Sequence, residues 1–145
     1  MPAWVSAGYE EYAARIGGEV RLELAEIPVA HRGRNADLKR LLEAEGRRML
    51  SRVDSHQFVV ALEVGGKALD TPGLAAWLQR RLADGRDLAL LVGGPDGLAP
   101  ACRERADFAW SLSPLTFPHG LVRVMVAEQL YRALSLLRGH PYHRA

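Results

Sequence analysis

The sequence predicts an α/β domain with a mostly parallel sheet and helices on both faces. Two observations predict this fold. Helix and strand patterns alternate along the 145 residues, and the run Leu88–Val92 contains no polar position. Such alternation is typical of folds in which helices connect parallel strands, and a continuously apolar strand is typical of a sheet covered on both faces. The length suits a single domain, residues 1–145, with its own hydrophobic core.

The first two elements are predicted to be a helix and a strand. Trp4–Ile16 places apolar side chains at helical spacing. Val20–Ala25 alternates apolar and polar residues, as a half-buried strand does. These patterns therefore predict that the chain opens with an α-β pair.

A second helix and strand follow a loop at Pro28–Arg34. Asn35 is a good N-cap, and the helix after it is predicted to bury Leu38, Leu41, Leu42 and Met49. Phe58–Val64 is predicted to be a strand that ends at the glycine pair Gly65–Gly66.

The third helix has the clearest boundaries. Thr71 is the predicted cap, Pro72 occupies the first helical position, and Asp84–Gly85 ends the helix. Its apolar stripe is predicted to comprise Leu74, Trp77, Leu78 and Leu82. The remaining elements are a strand at Leu88–Val92, a helix at Ala99–Ala106, a strand at Phe108–Leu112 and a helix at Leu121–Leu137.

The last helix is apolar on almost all sides. Its polar positions are Arg123, Glu128, Gln129, Arg132 and Ser135. A helix of this kind must be covered over most of its surface. It is therefore predicted to form a homodimer interface, the alternative being a central helix sheltered within one chain.

Composition excludes several classes of protein. Charged residues make up 25% and apolar residues 48% of the chain, as in ordinary globular proteins. Cys102 is the sole cysteine, so there is no intrachain disulfide and no cysteine cluster for zinc, and we read it as a small buried residue. No histidine pair has metalloprotease spacing, so no metal site is predicted. With no long apolar run or signal peptide, a cytoplasmic location is expected.

One stretch is clearly basic although the net charge is only +2. His31–Arg40 contains four cations, Arg32, Arg34, Lys39 and Arg40, against the single acid Asp37. Such a patch can contact the phosphates of a nucleic acid. A solvated helix face with its approach loop is the alternative.

Two loops follow predicted strands, where α/β proteins hold nucleotide-like ligands. GGPDG at Gly93–Gly97 matches neither a Walker loop nor a dinucleotide-binding fingerprint, but its glycines would let a flat ligand approach the backbone. SPLTFPH at Ser113–His119 is stiffened by two prolines, and its backbone and apolar side chains can form the walls of a pocket. The alternatives are a simple tight turn and an ordinary connection.

The chain ends on HPYHRA, which supplies His140, Tyr142, His143 and Arg144 within five positions. Histidine changes charge near neutral pH, and arginine can bind a phosphate through two hydrogen bonds. A polar lid over a pocket is one interpretation, and a frayed polar end is the other. The other histidines, His31, His56 and His119, are predicted to be loop or capping residues.

In combination these motifs are specific. The segments LLVGGPDGL, WSLSPLTFPHGLVRVMVAEQLYRA and HPYHRA, with RGRNADLKRLLEAEG and DTPGLAAWL before them, resemble the ribosomal RNA large subunit methyltransferase H family over essentially the whole chain. This family belongs to the knotted SPOUT class of S-adenosyl-L-methionine-dependent enzymes. The resemblance implies a homodimer with a trefoil knot near the C-terminus. It also implies methylation of N3 of a pseudouridine in large-subunit (23S) ribosomal RNA within assembled ribosomes.

The resemblance also implies which residues bind the cofactor. They are Leu62, Gly94, Ser113, Pro114, Leu115, Thr116, Phe117 and Pro118. We further hypothesise that Arg32, Arg34 and Lys39 hold RNA phosphates. The catalytic tail, residues 139–145, would close over the cofactor of the same or the partner subunit. There His140, Tyr142, His143 and Arg144 would act together with Arg132.

One departure from the family pattern concerns the N-terminus. Family members usually begin with a β-strand and a glycine-lysine turn, whereas this sequence starts at Met1-Pro2-Ala3-Trp4. A misassigned start codon is our hypothesis for it. Two rival functions stay open: a SPOUT methyltransferase with another target, such as transfer RNA, and a non-enzymatic RNA-binding module.

Overall fold

The computed structural model describes residues 1–18, 20–28, 33 and 37–142. The chain divides into two compact units. The sheet unit comprises Ala25–Ala68 and Arg86–Thr116, and the helical unit comprises Met1–Leu24, Leu69–Gly85 and Phe117–Ala145. The assignment of residues 1–145 to one domain stays a prediction.

The described residues contain five helices and three strands. In chain order these are α1 (Ala3–Arg15), α2 (Leu38–Leu50), β1 (Phe58–Ala68), α3 (Thr71–Asp84), β2 (Leu88–Leu91), α4 (Pro100–Arg105), β3 (Phe108–Ser111) and α5 (His119–Leu137). The α/β fold class is thereby confirmed, and each of these eight elements overlaps one predicted from the sequence.

The sheet is parallel, as predicted, with the order β2-β1-β3. Its centre is β1, where the successive residues Val59, Val60 and Ala61 are at most 1% exposed. The continuous burial predicted for Leu88–Val92 is wrong, because β2 lies at the edge of this sheet and only Leu91 in the strand is buried.

The strand β1 does not end at its glycine pair but continues to Ala68. Its pairing with β3 shifts register between Leu62 and Lys67, which both pair with Trp110. A Cβ on Gly66 would lie 2.7 Å from the carbonyl carbon of Ala109. Glycine is therefore required here for the close approach of two strands, and the sequence signal was misread as a strand end.

Three further predictions are wrong. Val20–Ala25 is not a strand, because alternation gives a half-buried segment but a strand also needs a partner, and this segment forms no ladder with the described strands. The cap of α2 is Asp37 rather than Asn35, and its carboxylate accepts from Arg40 N–H at 3.2 Å. Leu38 consequently starts the helix and is exposed.

The cap of α3 also lies one residue earlier than predicted. Asp70, not Thr71, accepts from the N–H of Gly73 at 2.8 Å. The C-terminal prediction is confirmed, since Gly85 has the left-handed φ of 81° that stops the helix. Of the predicted stripe, Leu82 is exposed and the other three residues are buried.

Each unit has its own apolar core. In the sheet unit, Val59, Ala61 and Leu91 pack with Leu98, Ala99 and Cys102. Cys102 is fully buried, as predicted, and burial raises the pKa of its thiol. In the helical unit, α5 packs against α1 and α3 and buries Val126, Ala127, Leu130, Ala133 and Leu134. The homodimer interface on α5 stays a prediction. No helix within the described ranges is long and apolar enough to cross a membrane.

Asp107 joins β1 to β3 at the edge of the sheet where both strands begin. Its carboxylate accepts from Val59 N–H at 2.9 Å, and its own N–H donates to the Val59 carbonyl at 2.7 Å. Arg105 lies 3.3 Å from the same carboxylate oxygen. The backbone hydrogen bond, followed by Arg105, lowers the pKa of Asp107.

The replacement Asp107→Asn is expected to lower the free energy of unfolding at pH 7 by about 1 kcal/mol, a value reduced for the partial exposure of the carboxylate. Because the pKa is lowered in the folded state, the contribution exists above the unfolded pKa and disappears as the pH falls below about 4. Urea unfolding at pH 7 and pH 3 measures this difference. The exposed neighbour Asp87 is the control, and an equal loss at both pH values would contradict a charge effect.

Candidate functional site

The glycine turn after β2 is closed on one side and open on the other. Gly97 has φ 80°, and its N–H donates to the Gly94 carbonyl at 3.0 Å. A Cβ on Gly93 would lie 2.6 Å from the carbonyl carbon of Gly97, whereas a Cβ on Gly94 would meet nothing within 4 Å. Gly93 is thus needed for the turn itself, while Gly94 presents free backbone surface.

The loop after β3 is held by its own serines. The Ser111 hydroxyl donates to the Ser113 carbonyl at 3.0 Å, and the Ser113 hydroxyl accepts from Leu115 N–H at 3.0 Å. Leu115 nevertheless has 68% of its surface exposed. The loop therefore presents an apolar side chain beside a fixed backbone.

These two loops lie at the same edge of the sheet, because the carboxyl ends of parallel strands meet there, and Leu62 lies at the level of the end of β3 although its own strand continues to Ala68. Leu62 is half-buried and pairs with Trp110 just before the register shift of β1. Of the residues expected to bind cofactor, six belong to this unit: Leu62, Gly94, Ser113, Pro114, Leu115 and Thr116. Phe117 and Pro118 belong to the helical unit, where Pro118 precedes α5 and its carbonyl accepts from Val122 N–H.

An ion pair at this edge was not found from the sequence. Arg103 Nε on α4 lies 2.6 Å from Glu63 Oε1, and Glu63 directly follows Leu62. Arg103 also approaches the turn, since its guanidinium lies 3.8 Å from where a Gly97 Cβ would be. The pair connects β1, α4 and the glycine turn, and no local pattern signals it.

The edge of the sheet fits a flat polar ligand with an apolar part. Gly94 leaves its backbone accessible, and the loop Ser113–Thr116 offers fixed peptide groups beside the exposed Leu115. Peptide groups hydrogen-bond the edge of a heterocycle, and leucine packs on its face. The chemistry of these residues suits a nucleoside-containing cofactor.

In the helical unit, the structure brings two predicted catalytic residues together. The Cζ of Arg132 lies 5.1 Å from the ring centroid of Tyr142, and Arg132 Nε donates to Glu128 Oε1 at 2.7 Å. The hydrogen bond to Glu128 raises the pKa of Arg132, and burial raises the pKa of Tyr142. At neutral pH the guanidinium is therefore charged and the phenol is protonated.

Three residues around Tyr142 were not identified from the sequence. The Tyr131 and Tyr142 rings have centroids 4.6 Å apart at an interplanar angle of 56°. Arg15 on α1 lies over the rings of Tyr131 and Tyr12, at 5.9 Å and 5.5 Å. An interaction with the Tyr12 side chain also helps to raise the pKa of Tyr142. Only the fold shows that these residues lie near the tail, because Tyr12 and Arg15 are on the first helix, far from Tyr142 in the sequence.

The other residues predicted for catalysis and RNA binding are not brought together with Arg132 and Tyr142 within the described parts of the chain. His140 is exposed, and its N–H donates to the Ser135 carbonyl at 2.9 Å, which closes the end of α5. Lys39 is exposed in the first turn of α2. Arg32, Arg34, His143 and Arg144 lie outside the described residues, as does His31.

Of the two remaining histidines, His56 is a loop residue, as predicted, whereas His119 is neither a loop nor a capping residue because the N-cap of α5 is Pro118. His56 lies in a turn, where its N–H donates to the Asp54 carboxylate at 2.7 Å, and His119 begins α5. Over the described parts of the chain, no three His, Cys, Asp or Glu side chains group as a metal site requires.

Comparison with known proteins agrees along the whole chain. Residues 1–143 match a family described as "Predicted SPOUT methyltransferase". A ribosomal RNA large subunit methyltransferase H from Alkalilimnicola ehrlichii is 66% identical over 145 residues, which are all of this chain and 93% of the relative. Proteins of the same name from Thioalkalivibrio sulfidiphilus and Methylococcus capsulatus are 60% and 59% identical over 99% of this chain, and over 92% and 93% of their own lengths. The chain belongs to the SPOUT methyltransferases, within the ribosomal RNA large subunit methyltransferase H family.

Proposed function

We propose that this protein methylates N3 of a pseudouridine in large-subunit ribosomal RNA, within assembled ribosomes, with S-adenosylmethionine as the methyl donor. The observation that carries the proposal is the 66% identity, over the entire chain, to a protein named ribosomal RNA large subunit methyltransferase H. The open glycine turn and the serine-held loop support it, because they offer a nucleoside-containing donor both peptide groups and an apolar contact.

When bound, S-adenosylmethionine supplies a methyl group already activated by its sulfonium. The chain's own task is then to orient the donor and the acceptor nitrogen, since positioning and charge placement provide most of the catalysis. We assign donor binding to Leu62, Gly94 and the loop from Ser113 to Pro118. Glu63 and Arg103 support this site by connecting β1 to the turn.

The acceptor nitrogen must lose a proton as the new bond forms. Arg132 stays charged because its pKa is raised, so it suits stabilisation of the developing anion and not proton removal. Tyr142 stays protonated because its pKa is raised as well, so it suits stacking on the base or donating a hydrogen bond. Proton removal from N3 is assigned to His140 or His143, since imidazole is the side chain that most often serves as a general base.

RNA affinity is assigned to Arg32, Arg34 and Lys39, and the tail residue Arg144 binds phosphate or supports Arg132. Contacts to phosphates position the RNA without reading its sequence and weaken as salt rises. The active form is assigned as a homodimer, since α5 is apolar on most sides.

The proposal is tested by methyl transfer from labelled S-adenosylmethionine to ribosomes that lack the modification, with the product located by mass spectrometry. Label on N3 of a large-subunit pseudouridine is the expected result. Free ribosomal subunits serve as the control, since they should be methylated poorly if the enzyme requires an assembled ribosome. Label on transfer RNA alone would contradict the assignment of ribosomal RNA as the substrate. A failure to bind S-adenosylmethionine would contradict the assignment of methyltransferase activity.

A further inference from the structure

Tyr142, the last residue that the structure describes, contacts a surface of the helical unit that is built from two helices distant in sequence. We call the residues Tyr12, Arg15 and Tyr131 the tail seat. Tyr131 on α5 contacts the ring of Tyr142 directly, with centroids 4.6 Å apart. Arg15 on α1 lies over Tyr131 and Tyr12, so the two helices form one surface under the tail.

Within the described residues, few other contacts fix the course of the chain after α5. Gly139 turns the chain with φ 71°, and the His140 N–H caps the Ser135 carbonyl. Terminal residues beyond such a cap are generally poorly ordered unless a specific contact holds them. Tyr142 has that contact on its ring with Tyr131, and Arg15 links Tyr131 to Tyr12 on the first helix.

The same contacts set the geometry between Tyr142 and Arg132. Glu128 fixes the guanidinium at 2.7 Å, and the guanidinium lies 5.1 Å from the Tyr142 ring centroid. If the ring is released from Tyr131, this spacing is no longer determined, although Arg132 itself stays bound to Glu128. The tail seat thus fixes the position of Tyr142, and Glu128 fixes the position of the Arg132 guanidinium.

We propose that Tyr12 and Tyr131 are positioning residues for the methyl transfer, which hold Tyr142 beside Arg132 and so give the first helix a part in the active site. The proposal rests on the proposed function. It differs from it in assigning roles to residues outside the loops and the tail, on the basis of the tilted ring contact and the cations that flank it.

The experiment compares the variants Tyr131→Ala, Tyr131→Phe and Tyr12→Phe with the wild-type protein. Hydrogen exchange of the tail amides, the dissociation constant of S-adenosylmethionine, and kcat and KM on ribosomes are measured for each. Tyr131→Ala is expected to speed exchange of the tail and to lower kcat about ten- to a hundredfold, as a small misplacement of a catalytic group does. Cofactor affinity is expected to stay within about twofold, since the seat makes no contact assigned to the cofactor.

The conservative variants separate positioning from general stability. Tyr131→Phe keeps the ring and is expected to restore most of the turnover, while Tyr12→Phe removes a hydroxyl of the tail seat and is expected to give an intermediate loss. The matched control is Tyr9→Phe on the same helix. The Tyr9 ring is buried, and its hydroxyl has no hydrogen-bond partner among the described residues, so tail exchange and turnover should not change.

Unchanged tail exchange and unchanged kcat in Tyr131→Ala would overturn the proposal. It would also be overturned if Tyr131→Phe lost as much turnover as Tyr131→Ala, or if cofactor affinity and melting temperature fell in parallel with kcat. The failure of the proposed function looks different: the wild-type protein itself would not methylate ribosomes. In that case the exchange of the tail in Tyr131→Ala still decides whether the seat holds Tyr142.

Discussion

Replacing Gly94 with valine is expected to weaken binding of S-adenosylmethionine strongly while leaving the fold intact. A Cβ at this position meets no atom within 4 Å, and Gly94 is not among the glycines with positive φ, so the folded chain accommodates a side chain. The added methyl groups occupy space assigned to the ligand. Overpacking of this kind costs about 1–3 kcal/mol, or roughly ten- to a hundredfold in the dissociation constant.

Isothermal titration and thermal unfolding of the same preparation test this prediction. The matched control is Gly93→Ala, because its Cβ would lie 2.6 Å from the Gly97 carbonyl carbon and the backbone must shift. That variant is expected to lose about 4–8 °C in melting temperature, the shift that about 2 kcal/mol of strain produces in a chain of this length, whereas Gly94→Val should change it by less than about 2 °C. If Gly94→Val unfolds as early as Gly93→Ala, both glycines are structural and the assignment of Gly94 to the ligand is wrong.

The comparison of the two glycines shows what a sequence pattern can and cannot provide. The motif GGPDG predicted a turn after a strand, and the turn is there. The different roles of Gly93 and Gly94 depend on atoms four or five residues beyond Gly93 that fold back onto the turn. Spacing alone does not contain this information, so the pattern located the loop without dividing it into structural and exposed positions.

Elements with local signals were predicted well. Pro72 and Gly85 mark the two ends of α3, and both signals act through the backbone of their own helix. Predictions that depended on a partner strand were less successful. Val20–Ala25 lacks a ladder with the described strands, and β1 runs past Gly66 because Ala109 packs against it.

The same distinction applies to the candidate site. Arg132 and Tyr142 were identified because each differs from its neighbours in the sequence: Arg132 is a charge on an apolar helix, and Tyr142 is an aromatic residue in a polar tail. Tyr12 and Arg15 look like ordinary helix residues until the fold places them around the tail. The pair Glu63 and Arg103 is hidden for the same reason, since each residue is unremarkable within its own element.

Deleting Gly139–Ala145 is expected to reduce turnover on ribosomes by at least about a hundredfold, in the range seen when a single group that stabilises transition-state charge is removed. The deletion removes Tyr142 from its contacts with Tyr131 and Arg132 and takes away the histidines assigned to proton removal. The residues assigned to the donor all precede Gly139, so the dissociation constant of S-adenosylmethionine should stay within a few-fold. Binding by titration and single-turnover methyl transfer measure the two quantities separately.

Arg132→Lys is the informative companion to this deletion. It keeps a positive charge on α5 but loses the planar guanidinium that binds Glu128 and lies near the Tyr142 ring. If charge alone matters, this variant retains most of the turnover that the deletion loses. If the geometry between Arg132 and Tyr142 matters, it loses turnover while keeping both cofactor affinity and melting temperature. A truncated protein that methylates ribosomes at the wild-type rate would contradict both readings, because it would show that no group beyond Arg138 is needed for the reaction.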